Sequence, residues 1–532
     1  MVCSLTRTAA EEVAGRDLPI PKERIGTLHS QANRALVGGY TGIADLPKYI
    51  SEWNSEFPEM ALSSSDRDID EDNASPFDGK APGDEAYNAM NVYRAKMVGS
   101  ESWPMSVRAF ALRWSDWKDS NGLIDFTDML EMALQNQELA PGTPDVIFAD
   151  ESQDFSRLEM SLLLKWGQAA GQLVIVGDPY QSLYQWRGAD PNVFFLGEAP
   201  EENQRVLRQS YRVPKAVHQA AASLIERMPG YRPVEYDPKL QCPNCNHEPV
   251  RFQNPCERCG QIVSQRIYVE GLCVHSDASL KNLEDILAVV ESSIGLGQSV
   301  MILASCAYML TGVIGELRRE GIPFHNEYRR RNGAWNPLSR RGNSVSASDR
   351  LTAFLRMGEE GYWTKDDLKT WLSAAKCSQI LPSGTSFKKF EEGPLQNVTT
   401  QEEIPYELLS ILVGEVPIEA SMAGDTAWYL EHLQAVRRKA SEFPCAIYGK
   451  MGAGALKESP SVTVGTIHSV KGGEADVVIL APDLSPQGVE SWHSSDEGKA
   501  AIYRLFYVGM TRAKSELYIL NPMQASSAVR LL

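Results

Sequence analysis

The chain has 532 residues, 43% of them hydrophobic and 23% charged, with a formal net charge of −17; at about 150 residues per domain it holds three or four domains. The negative charge excludes a protein that coats nucleic acid through overall basicity but leaves a local groove open. No apolar run reaches the roughly 18 residues that span a bilayer, and no apolar core follows a basic start as in a secretory signal, so a cytoplasmic protein without membrane contact is expected.

In chain order, "VCSL" reads as the tail of a buried strand and Thr6 to Gly15 as the helix after it. Ser63 to Ala86 is acidic, rich in Ser, Pro and Gly, and reads as a mobile loop between helical stretches. "PDVIFADE" and "GQLVIVGDP" are short apolar runs on either side of the helix-like "FSRLEMSLLLKWGQAA". Strand, helix, strand with wholly apolar strands predicts a parallel sheet buried on both faces. The texture returns in "QSVMILAS", "SVTVGTIHS", "ADVVILAP" and "SELYILNP", and residues 356–450 between them carry mostly helical patterns.

Several segments carry chemistry. Asp150 and Glu151 fall at the carboxyl end of a predicted parallel strand, where ligands bind. Adjacent acids there suit a Mg²⁺–phosphate site, one holding the metal shell and the other orienting water; a solvated acidic strand end is the alternative. In "VGDPYQSLYQWRGAD", Tyr184, Trp186 and Arg187 make either a stacking platform for unpaired bases or a set of core aromatics. "LRQSYRVPKAV", "VTVGTIHSVKGGEADVVIL" and "LFYVGMTRAKSELYIL" each set a basic residue beside a small-residue turn near a strand.

In this order the five segments resemble motifs II to VI of the UvrD/Rep type of superfamily 1 helicases. "SLTRTAAEEV" and "IGTLHSQA" resemble motifs Ia and Ib, and "LIDFTDML" the segment preceding motif II. The resemblance implies an α/β protein with two RecA-like domains, helical insertions and ATP between the domains. It would act as an ATP-dependent DNA helicase or translocase on single-stranded DNA, 3′ to 5′. It assigns Asp150 to Mg²⁺, Glu151 to the attacking water and Gln181 to the γ-phosphate. Arg212 and Arg512 would be arginine fingers, Tyr211 would stack on adenine, and Glu474 would contact the ribose. Thr27, His29, Tyr184, Trp186, Arg187 and His468 would line the single-strand path. The implied layout is residues 1–38 and 125–205 as a first RecA-like domain with 39–124 inserted. Residues 206–355 and 451–532 form the second, with 356–450 inserted.

Leu5 and Gly473 depart from the family's usual aromatic and Leu, and residues 200–210 follow its consensus weakly. The larger departure is that no G-x-x-x-x-G-K-[ST] loop, the β/γ-phosphate cradle, occurs in the sequence. Three expectations follow. A second polypeptide or a longer start supplies the loop; the chain is a non-catalytic DNA-binding or scaffold subunit; or it is mainly an interaction protein.

Cys242-x₂-Cys245 and Cys256-x₂-Cys259, ten residues apart with Pro and Gly in the turns, fit a Cys₄ zinc ribbon inserted at 240–262. Four thiolates leave no open position, so the Zn²⁺ would be structural. The ribbon could brace the second α/β domain, touch DNA or meet a partner. Arg329 to Arg331 suggest a phosphate-contacting loop or a solvated turn.

Overall fold

Short apolar runs set the first sheet. β1 (Val2–Ser4), β2 (Ile25–Thr27), β5 (Val146–Ala149) and β6 (Gln172–Ile175) form a parallel sheet in the order β2-β1-β5-β6. A two-stranded pair, β3 (Gly42–Ile43) and β4 (Leu123–Ile124), lies in the connection between β2 and β5. The computed structural model describes residues 1–4, 20–36, 40–63, 81–192, 194, 199–328, 334–339, 344–383 and 385–532. The helix expected after β1, Arg329 to Arg331 and most of the acidic loop lie outside these residues.

The second half follows the same logic. β7 (Leu240–Gln241) and β8 (Ile267–Tyr268) form a small antiparallel pair. β9 (Leu272–Ser279), β10 (Val300–Ala304), β11 (Phe324–His325), β12 (Val462–Thr466), β13 (Ala475–Leu480) and β14 (Ala513–Asn521) form a six-stranded parallel sheet. Its order is β11-β12-β10-β13-β14-β9. Every residue of β10 and β12 is buried, as expected where helices cover both faces.

The first sheet departs from that expectation. Phe148 in β5 is 42% exposed and Val176, just past β6, is 41% exposed. One face of this sheet is incompletely covered among the described residues. Its other face packs Phe155, Leu162, Leu163 and Trp166 with Ile147 and Ala149.

Between β3 and β4, helices Pro47–Glu56, Asp84–Ala95 and Met105–Asn121 pack around Trp53. Trp114 and Trp117 meet Trp53 edge-on at 4.9 and 5.5 Å, contacts worth about 0.5–1.5 kcal/mol each beyond area burial. Asp125 ties this unit to the first sheet. It caps helix Phe126–Asn136 in a capping box and is 1% exposed. Its carboxylate accepts from Arg94 Nη1 at 2.9 Å, Lys118 Nζ at 2.6 Å and Trp114 Nε1 at 3.0 Å. Burial opposes its charge, but Arg94 and Lys118 outweigh burial and hold the carboxyl below the ordinary range.

The described residues between 347 and 451 are mostly helical, from Ala347–Glu360 to Ala435–Met451, so the first of these helices runs across residue 356. They share one continuous core with the β10 side of the second sheet, through residues such as Phe354, Trp363, Trp371 and Tyr429.

Candidate functional site

The carboxyl ends of the first sheet align. Ser4 pairs with Thr27, Cys3 with Ala149, and Ala149 with Ile175. Residues just past these ends therefore gather at one edge of the sheet. Asp150 and Glu151 follow β5 directly. Glu151 adopts a left-handed backbone (φ 54°), a conformation that costs a non-glycine residue and clusters at functional sites. Asp150 Oδ1 accepts from the Glu151 amide at 3.0 Å, and Glu151 Oε2 accepts from Gln153 Nε2 at 2.7 Å.

Asp178, past β6, caps the next turn. It accepts from the Tyr180 amide and from Gln181 Nε2, both at 2.9 Å. Gln153 Oε1 accepts from the Asp178 amide at 3.0 Å, so the segments after β5 and β6 are fixed to each other.

The second sheet reaches this edge with the amino ends of two strands. Arg512 immediately precedes β14 and Glu474 immediately precedes β13. Arg512 is 1% exposed. It donates to Val508 O at 2.9 Å, Gly473 O at 3.2 Å, Thr511 Oγ1 at 3.3 Å and, across the two sheets, Gln181 Oε1 at 2.9 Å. All four partners are neutral. Burial first, then the Arg212 guanidinium, lower the Arg512 pKa to about 9. Arg212 itself donates from Nε to Glu474 Oε2 at 2.7 Å.

Lys471 is a functional candidate that sequence reasoning missed. Its ammonium donates to buried Asp154 and lies 3.7 Å from Glu151 Oε2 and 5.0 Å from the Tyr184 ring centre. Burial raises the Asp154 pKa to about 6 despite Lys471. A lone lysine in "VKGGE" carries no periodic signal, and its partner lies 317 positions earlier.

The structure also explains Gly473. A Cβ there would meet Tyr328 Oη at 2.4 Å. The Tyr328 ring fills the space a larger side chain would need.

A second group lies along the expected strand path. Arg187 sits 5.7 Å from the Tyr184 ring centre and 6.0 Å from that of Trp186, which is 47% exposed. Thr27 is engaged as the N-cap of helix Leu28–Ala35, accepting from the Ser30 amide at 3.2 Å. His29 lies 3.8 Å from Glu159 and 6.2 Å from the Phe126 ring, and burial depresses its pKa. His468 follows β12. Burial, then Lys471, push its imidazole down to about 4. In both histidines the shift favours the neutral imidazole.

Tyr211, 48% exposed, meets Arg251, whose guanidinium is 5.6 Å from its ring centre. Arg251 belongs to the cysteine-rich insertion. There, the Sγ atoms of Cys242, Cys245, Cys256 and Cys259 lie within 4.8 Å of one another. Cys242 and Cys259 are 3.6 Å apart and Cys245 and Cys256 3.7 Å apart, sulfur to sulfur. Four sulfurs each about 2.3 Å from one tetrahedral zinc are about 3.8 Å apart, so spacing and donor type both fit Zn²⁺.

Among known proteins, the family described as UvrD/REP helicase N-terminal domain matches residues 1–199, and UvrD-like helicase C-terminal domain matches residues 449–522. The ATP-dependent DNA helicase PcrA of Bacillus subtilis is 24% identical over 450 residues, covering 75% of this chain and 59% of the relative. A probable DNA helicase II homolog of Mycoplasma capricolum is 25% identical over 251 residues, 42% of this chain and 34% of the relative. PcrA of Staphylococcus aureus is 30% identical over 141 residues, 25% of this chain and 19% of the relative. The matched part of this chain thus spans less than two thirds of each of these relatives.

Proposed function

Because the chain belongs to the UvrD/Rep type of superfamily 1 helicases, we propose that residues 1–532 carry most of an ATP-driven motor on single-stranded DNA. The nucleotide would be held between the two parallel sheets. The observation that carries this reading is Arg512 meeting Gln181 across the sheets with neutral partners only. A buried guanidinium with no carboxylate in contact among the described residues suits an anionic ligand, and a phosphate supplies one.

On this reading Asp150 would hold Mg²⁺, which would supply charge neutralisation at the phosphates, and Glu151 would accept the proton of the attacking water. Gln181, Arg212 and Arg512 stabilise charge on the transferred group. Tyr211 stacks on the base and Glu474 contacts the ribose. ATP, when bound, supplies the phosphoanhydride bond whose cleavage drives domain movement. Lys471 bridges the motif II acids to the second sheet and would report cleavage to the strand path through Tyr184. Trp186, Tyr184 and Arg187 stack on bases, with Thr27, His29 and His468 beside them. Movement is 3′ to 5′ by family resemblance.

The G-x-x-x-x-G-K-[ST] pattern does not occur among residues 1–532, so on this reading the β/γ-phosphate cradle comes from outside them. The four cysteines hold a structural zinc. DNA-stimulated ATP hydrolysis, abolished by Glu151→Gln, tests the proposal. DNA binding with no hydrolysis even after a cradle is supplied would favour a non-catalytic subunit instead.

A further inference from the structure

The cysteine-rich insertion is wired into the segment that carries Tyr211 and Arg212. Its small core packs Leu240, Cys242, Val250, Cys256 and Val263, so the metal ligands and the Val250–Phe252 turn are one unit. Gln209, two residues before Tyr211, grips that turn with both ends of its amide. Its Nε2 donates to Val250 O at 2.6 Å and its Oε1 accepts from the Phe252 amide at 3.4 Å. Arg251, between those contacts, places its guanidinium over the Tyr211 ring. Asp237 supports the same segment. Its carbonyl accepts from the Ser210 amide at 2.8 Å, and its carboxylate accepts from Arg266 at 2.7 Å and Tyr268 at 3.0 Å. Arg266 in turn covers the Phe252 ring at 4.7 Å.

We propose that zinc in the Cys₄ site sets the conformation of residues 209–213 through Gln209 and Arg251, and so tunes how the cleft holds an adenine nucleotide. The nucleotide half of this rests on Tyr211 being the base-stacking residue; the zinc half does not. A turn of this size has too little apolar core to order itself, and a Cys₄ metal supplies the missing folding energy. Without metal the turn loosens, Gln209 loses both partners, and Arg251 no longer fixes the ring. Gln209 and Arg251 are positioning residues that act through Tyr211 and Arg212.

Hydrogen exchange followed by mass spectrometry on the full chain tests the zinc half. With about one zinc bound, amides of residues 210–213 are protected. A zinc-selective chelator, or Cys242→Ser with Cys245→Ser, raises their exchange about tenfold or more and leaves β10 and β12 unchanged. Gln209→Ala gives the same local loss with zinc retained, which separates coupling from misfolding of the insertion. No bound zinc, or exchange at 210–213 indifferent to zinc removal, would overturn the proposal. The nucleotide half is read by titrating methylanthraniloyl-ATP into the full chain joined to a segment bearing G-x-x-x-x-G-K-[ST]. Arg251→Ala weakens binding about threefold with zinc content unchanged, and Arg251→Lys restores part of it. If exchange at 210–213 follows zinc but nucleotide affinity does not, the coupling stands and the base-stacking role of Tyr211 is what fails.

Discussion

Arg512 and Gln181, 331 positions apart in sequence, meet at 2.9 Å with Arg512 as the donor. The contact joins the amino end of β14 to the turn after β6, and Asp178 holds Gln181 in place from behind. Arginine fingers contribute about 10³-fold or more to phosphoryl-transfer rates. Arg512→Lys keeps the charge but loses the planar fork that reaches Gln181 and the Gly473 carbonyl together. In a protein containing residues 1–532 and a phosphate cradle, it is expected to lower DNA-stimulated kcat at least about a hundredfold. Steady-state kinetics reads this, and near-normal kcat would remove Arg512 from the machinery.

Trp186 is the exposed member of the proposed base-stacking group. Removing one base-stacking aromatic costs about 1–3 kcal/mol. Trp186→Ala is expected to weaken binding of a fluorescent oligo-dT by roughly 5- to 150-fold at fixed salt. Thermal stability should hardly change, since the side chain is 47% exposed. Unaltered anisotropy titrations would place the strand elsewhere.

His468 gives the fold an acid-sensitive element. Its imidazole titrates at about 4 in the fold against an ordinary 6.5, so the fold favours the neutral form. This contribution is fully present above the unfolded pKa. It is lost as pH falls through 6.5 towards 4, because only the unfolded chain takes up the proton in that window. At about 1.4 kcal/mol per pH unit, less solvent screening, it amounts to about 2 kcal/mol. His29, His218 and His325 shift in the same direction and add to it. His468→Asn is expected to show a smaller drop in denaturation midpoint than the unaltered chain between about pH 7 and pH 5. Parallel pH profiles would contradict this.

Asp125 anchors the tryptophan-rich helical unit to the first sheet. Asp125→Asn removes the charge that Arg94 and Lys118 share, although Asp128 still pairs with both and Glu131 with Arg94. Loss of one member of a buried ion network costs about 3 kcal/mol. Urea denaturation followed by tryptophan fluorescence is expected to shift by that amount, because Trp114 donates directly to Asp125. A shift below about 1 kcal/mol would make the network incidental.

Local signals made much of the fold legible. The continuous apolar run VMILA marks β10, and the mixed runs VTVGT and ADVVIL mark β12 and β13 beside it in a parallel sheet covered on both faces. The paired CxxC knuckles mark four sulfurs that converge in space. The residues that link distant segments were not legible. Lys471 meets Asp154 and Glu151 only because two sheets face each other. Arg251 meets Tyr211 only because an insertion folds back over the chain that precedes it. Gly473 looks like a simple departure from a family pattern until Tyr328 is seen filling its place. Phe148 shows the opposite failure, an apolar strand residue that local pattern buries and the tertiary structure exposes. Periodicity reports what one element needs; it carries no information on which lone charge will find which partner.

On the proposed function, the cleft between the sheets hydrolyses ATP once its phosphates are cradled. The most direct measurement is DNA-stimulated ATP hydrolysis by residues 1–532, alone and joined to a strand-and-loop segment bearing G-x-x-x-x-G-K-[ST]. The account predicts background hydrolysis alone, robust DNA-dependent hydrolysis with the segment, and loss of that activity with Glu151→Gln. Equal hydrolysis with and without the segment, or hydrolysis indifferent to Glu151→Gln, would contradict it.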